Sequence, residues 1–139
     1  MVERELDDGV RIAQLLASEL TGRAIPPFDD VAVTDADSDV EPTPEGARAY
    51  DVTHDGERVA TVYVMPERAR LELFVGLEAA KRAADDVGLR ARPRASTPPA
   101  LVVFVENGAH AKRVLDVFEA ALVAADRSGV DTDAAAGDE

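Results

Sequence analysis

The chain has 139 residues, enough for one hydrophobic core of moderate size, so a single domain is expected. It has no cysteine, which excludes disulfides, thiolate catalysis and cysteine-based zinc sites. The 28 acidic residues outnumber the 15 basic ones by 13, and no run of apolar residues is long enough for a membrane span.

The first segment, Glu3 to Thr21, places Leu6, Val10, Ala13, Leu16, Ala17 and Leu20 on one stripe, which predicts an amphipathic helix ending at Thr21-Gly22. Arg23 to Gly46 is rich in Pro, Asp and Thr and reads as loop, with one short strand at Val31-Ala32-Val33. Between Ala47 and Met65 two β-rich runs meet at His54-Asp55-Gly56-Glu57, a hairpin signal because a type I′ turn needs positive φ at both central residues. That turn pairs His54 with Glu57, Val52 with Val59 and Tyr50 with Thr61. One face of the hairpin then collects Tyr50, Val52, Val59, Tyr63 and Met65 for the core. A third run, Arg70 to Val75, turns Leu71, Leu73 and Val75 inward and Arg70, Glu72 and Phe74 outward.

A second helix spans Leu77 to Val87, closed by Gly88, and a short strand follows at Leu89 to Arg94. Leu101 to Val105 is continuously apolar and β-branched, the pattern of a central strand buried on both faces. The last helix carries Ala111, Val114, Leu115, Phe118, Ala121, Leu122 and Ala125 on one face and is expected to stop near Arg127-Ser128-Gly129. This gives one α+β domain over residues 1–128 and a disordered acidic tail over 129–139. The sheet is mostly antiparallel, with five to six strands and three helices in the order α-β-β-β-β-α-β-β-α. The alternative is an α/β sandwich with helices on both faces, suggested by the Leu101 to Val105 run.

Only 2 of the 15 basic residues are lysines and tryptophan is absent, with apolar content leaning on alanine and valine; this resembles the cytosolic proteins of halophilic archaea. The charged start, Met1-Val2-Glu3-Arg4-Glu5, lacks the apolar run of a signal peptide, so a cytoplasmic location is expected. An acidic surface repels itself in dilute buffer, and molar salt shortens the Debye length to roughly 3 Å, so stability should depend on salt.

No Walker motif, Rossmann glycine pattern, His-Glu-x-x-His or nucleophile elbow occurs, and His54 and His110 have no partner at a recognised spacing. Asp35-x-Asp37-x-Asp39-x-Glu41 resembles the opening of a calcium loop, but Val40 and Gly46 stand where that loop needs glycine and glutamate, so no metal or other cofactor is expected. Charge by region is more informative: residues 66–99 hold 5 acids and 7 bases, against 15 acids and 5 bases in residues 1–65. Arg90, Arg92 and Arg94 alternate, so a strand presents all three on one face, and Arg68 and Arg70 extend that face if the two strands are neighbours. Planar guanidinium forks suit phosphates and carboxylates. Glu72 and Glu67 offer the same arginines internal partners.

A second candidate is Asn107, Gly108, His110 and Lys112, where free N–H groups at a helix start suit a small anion, although Asn107 as a cap explains the same residues. The sequence therefore points to a non-enzymatic binding or regulatory module whose arginine face takes an anionic ligand, an acidic protein or RNA. A homo-oligomeric interaction protein, such as a homodimer, is the second hypothesis, and a small enzyme using His110 or His54 is the third.

Overall fold

A computed structural model describes residues 8–23 and 25–138, with side chains described as far as residue 125. Helix α1, Gly9–Thr21, starts where Asp8 accepts hydrogen bonds from the N–H groups of Val10 (2.9 Å) and Arg11 (3.3 Å). A 3₁₀ turn at Phe28–Asp30 leads into strand β1, Val31–Thr34. Strands β2 (Ala47–His54), β3 (Glu57–Val64) and β4 (Ala69–Leu73) form the expected meander. Helix α2 (Leu77–Asp86), strands β5 (Ala91–Arg94) and β6 (Ala100–Val105) and helix α3 (Gly108–Asp138) complete the α+β order read from the sequence. The expected helical residues before Asp8 lie outside the described residues.

The six strands form one antiparallel open sheet in the order β1-β2-β3-β4-β6-β5. One face packs against the helices: Val52, Val62, Leu71, Leu73, Leu101 and Val103 join Ile12, Leu16, Leu20 and Phe118 in a single core. The Tyr50 hydroxyl donates to the Ala13 carbonyl of α1 at 2.6 Å, tying the helix to the sheet. Burial holds that phenol well above its ordinary pKa. Gly76 enters α2 with φ of +57°, and a Cβ there would lie 2.2 Å from the Ala121 carbonyl oxygen, so only glycine lets α2 approach α3 this closely. At the other end of α2 the Gly88 and Leu89 N–H groups bond the Asp85 and Ala84 carbonyls, a Schellman closure. No described helix is long and apolar enough to cross a membrane.

Four expectations are corrected. The hairpin register is Tyr50 with Val62, Val52 with Ala60 and Thr53 with Arg58, because irregularities between Arg48 and Tyr50 and between Val52 and Thr53 leave Ala49 and Val59 as extra residues. The core face of β3 is therefore Ala60, Val62 and Val64, while Tyr63 points to the opposite face. Strand β6 lies second from an edge, and no described helix covers its outer face; Val102 and Phe104 sit there under neighbouring side chains, so the sandwich alternative does not hold. The backbone of α3 continues to Asp138, past the stop expected near Gly129. A single glycine inside a helix costs only about 1 kcal/mol, and the Ala134-Ala135-Ala136 run favours helix.

Candidate functional site: the open face of the sheet

The outer face of the sheet carries seven arginines. The register sets five strands in a transverse row, with Arg48 opposite Tyr63, Tyr63 opposite Arg70 and Arg70 opposite Phe104. The Phe104 N–H donates to the Arg90 carbonyl at 3.0 Å, which extends the row to β5. Arginine and aromatic residues thus alternate across the sheet: Arg48, Tyr63, Arg70, Phe104, Arg90. The rings are capped by guanidinium groups, with Arg70 4.5 Å from the Tyr63 centroid and Arg68 and Arg90 4.6 and 5.4 Å from that of Phe104. Arg58 lies 4.9 Å over Phe74. Each such contact contributes on the order of 0.5–1 kcal/mol at an exposed site.

Beside this row three carboxylates each draw in two arginines. Asp51 holds Arg48 at 2.7 Å and Arg58 at 3.9 Å, and accepts a 2.7 Å hydrogen bond from the Thr61 hydroxyl. The extra residue at Ala49 is what brings Arg48 and Asp51, three positions apart, to one face. Burial opposes the charged form of Asp51, but the hydrogen bonds from Arg48 and Thr61, with the charges of Arg48 and Arg58, outweigh it and lower its pKa. The Asp51 hydrogen bond raises the pKa of Arg48 further.

Glu72, buried in the sheet, is gripped by Arg94 at 3.2 and 2.6 Å and approached by Arg70 Nε at 3.1 Å. The Arg70 Nε–H is not aimed at the carboxylate and makes no hydrogen bond, whereas Nη1 of the same residue donates to the Glu45 carbonyl at 2.9 Å. Glu106 takes Arg68 at 3.4 Å and Arg90 at 3.7 Å. Arg92 is exposed, and its guanidinium makes no hydrogen bond, ion pair or ring contact with the described residues.

Seven arginines against Asp51, Glu72 and Glu106 sum to +4, with the exposed Asp35, 3.7 Å from Arg48, offsetting one of them; the remaining 25 acids and 8 bases sum to −17. The expected grouping of Arg68, Arg70, Arg90, Arg92 and Arg94 on one face is what the strand order produces, although β6 separates the two arginine strands. Glu67, considered as an internal partner, lines a cleft of about 560 Å³ with Pro44, Met65, Pro66, Arg68 and Glu106. Sequence reasoning missed Arg48, Arg58, Tyr63 and Phe104. The alternation of Arg68 and Arg70 with apolar neighbours signalled one strand of the face, whereas Arg48 and Tyr63 are placed by bulges that carry no local signature.

The second candidate is arranged as a helix cap. Asn107 Oδ1 accepts the His110 N–H at 2.9 Å, and His110 Nδ1 accepts the Glu106 N–H at 3.1 Å. Gly108 is buried, and Lys112 is exposed on a different cleft, beside Arg23, Ile25 and Phe28. The four residues do not converge on one point. His110 is held below its ordinary pKa by burial first and by the Arg113 charge, with Glu106 opposing. His54 pairs with Glu57 at the hairpin end of the sheet and His110 follows β6 at the other, so the two histidines do not share a site. Among the described residues no group of three or more His, Asp or Glu is placed to hold a metal ion.

No curated protein and no solved structure matches the chain. A family profile does, over residues 1–135, and the chain belongs to that family of unknown function, DUF7993.

Proposed function

We propose that this protein is a non-enzymatic binding or regulatory module whose open sheet face receives an anionic partner. The observation that carries the reading is the charge imbalance of that face: each of three carboxylates is shared by two arginines, and Arg92 stands free. Shared carboxylates leave guanidinium donors unused, already held in place by ring and carboxylate contacts, so an incoming anion meets donors whose ordering cost is largely met. Arginine suits this role because its planar fork accepts bidentate oxyanions and is weakly hydrated. The same charge argues against two copies pairing through this face, since like charges oppose each other across such a contact.

The test compares the intact protein with the Arg90→Gln/Arg92→Gln double variant for binding of fluorescent polyglutamate and fluorescent oligouridylate. This pair leaves the Arg94 grip on Glu72 in place, so the fold is retained and circular dichroism is unchanged. Binding of at least one polyanion, weakened by the double variant and retained by Arg113→Gln elsewhere on the surface, supports the reading. Failure of the intact protein to bind either polyanion removes it.

A further inference from the structure

We infer that the partner is an extended peptide in which acidic residues alternate with apolar ones, lying along the outer edge of β5. The inference rests on the reading of the open face as an anion-binding surface and specifies its occupant. Strand β5 is an edge strand, and its two sides differ sharply in chemistry. Arg90, Arg92 and Arg94 stand on the open side. On the other side Pro93 lines a cleft of about 400 Å³ with Leu77, Ala100 and Leu101, its rim carrying Glu78, Lys81 and Arg82. A cleft of this size admits side chains of a ligand.

The Phe104 to Arg90 hydrogen bond marks a bonded pair, so the backbone groups of Arg90, Arg92 and Arg94 face β6 and those of Ala91 and Pro93 face outward. The N–H that proline lacks is thus an outward one, and the Ala91 N–H with the Ala91 and Pro93 carbonyls remains for a partner strand. Pro93 and the arginine charges discourage a like strand. They do not discourage an acidic one.

An added strand turns alternate side chains to opposite faces, about 6.6–6.8 Å apart on each, the same interval that separates successive arginines of β5. Acidic residues then meet Arg90, Arg92 and Arg94 while apolar residues enter the cleft. A single-stranded nucleic acid fits less well: its bases need free ring faces, and guanidinium groups of this protein already cover Tyr63, Phe74 and Phe104. Its backbone also lacks the acidic and apolar alternation that the two sides of β5 present.

The experiment measures fluorescence anisotropy of the full chain with three labelled probes: a peptide of four Asp-Val repeats, a peptide with the same residues as an Asp block followed by a Val block, and an oligouridylate. The alternating peptide is expected to bind about tenfold tighter than the blocked one, the scale of burying one valine side chain. Arg92→Gln weakens the alternating peptide, and Leu77→Ala, which shortens a side chain lining the cleft and adds no charge, removes its advantage over the blocked peptide. Equal affinity for the two peptides overturns the inference. Oligouridylate binding through the arginines without peptide binding also overturns it, while leaving the open face as an anion-binding surface. If no probe binds, both readings fall.

Discussion

Arg94 on β5 reaches past β6 to Glu72 on β4, its two terminal nitrogens 3.2 and 2.6 Å from the two carboxylate oxygens. Glu72 is 4% exposed, so this bidentate contact satisfies a charge that the strand pattern has taken out of water. Arg94→Gln removes the fork and leaves Arg70 poorly aimed at the same carboxylate. A loss of about 1–3 kcal/mol in urea unfolding is expected, the cost of a buried acceptor left short of partners. Arg92→Gln, on the same strand, leaves the unfolding midpoint unchanged because the Arg92 guanidinium makes no hydrogen bond, ion pair or ring contact with the described residues. Equal midpoints for the two variants would show that the Arg94 fork contributes nothing to the fold.

Two backbone approaches predict which glycines tolerate alanine. A Cβ on Gly9 would lie 1.9 Å from the Met65 carbonyl oxygen, and one on Gly76 would lie 2.2 Å from that of Ala121. Gly56, in the hairpin turn, has positive φ but nothing within 4 Å of an added Cβ. Gly56→Ala therefore costs about 1 kcal/mol, from the left-handed backbone alone. Gly9→Ala and Gly76→Ala cost more, because backbone atoms must move at the start of α1 and at the α2–α3 contact. Thermal melts of the three variants give this order directly.

Periodicity carried most of the fold into view. The alternation over Arg70 to Val75 and the Asp55-Gly56 turn place β2, β3 and β4, and the helical stripes place Leu16, Leu20 and Phe118 in the core. Tyr63 was the costly misreading, since an uninterrupted hairpin turns its ring inward, whereas the extra residue at Val59 shifts the rest of β3 by one position and turns it outward. The buried look of Leu101 to Val105 misled for a related reason: Phe104 is covered by Arg68 and Arg90 of the sheet's own face. The pairing of β4 with β6 is a long-range event, invisible to local pattern, and it is what sets Arg70 beside Phe104.

His110 gives the protein a pH dependence of known sign. Its Nδ1 accepts the Glu106 N–H, so this nitrogen is unprotonated in the fold, and protonating it breaks the cap contact. The folded pKa lies below the ordinary value of 6.5, so the unfolded chain binds the proton more readily. The stabilisation is complete above 6.5 and is lost as pH falls through the lower, folded value. Melting temperature is expected to decline from about pH 7 to about pH 5.5. His110→Gln, a neutral acceptor at the same helix position, flattens the profile in that window. The Asp51 contribution disappears only at pH values below its ordinary 3.8 and leaves this comparison untouched.

The uneven division of charge makes opposite demands on salt. Outside the open face the chain carries −17, and mutual repulsion there opposes the compact state. Raising KCl from about 0.1 M to about 1 M shortens the Debye length from roughly 10 to 3 Å, so repulsion between surface carboxylates fades. The carboxylate-centred arginine pairs lie within 4 Å and are partly buried, so they are screened much less. The melting temperature is therefore expected to rise with KCl, and NaCl should act equally if screening is the cause. Polyanion binding at the +4 face should weaken over the same range, because an incoming partner approaches through solvent where ions intervene. Measuring both quantities on one salt series separates the two effects. An unchanged melting temperature across that series would mean that the acidic surface imposes no measurable strain on the fold.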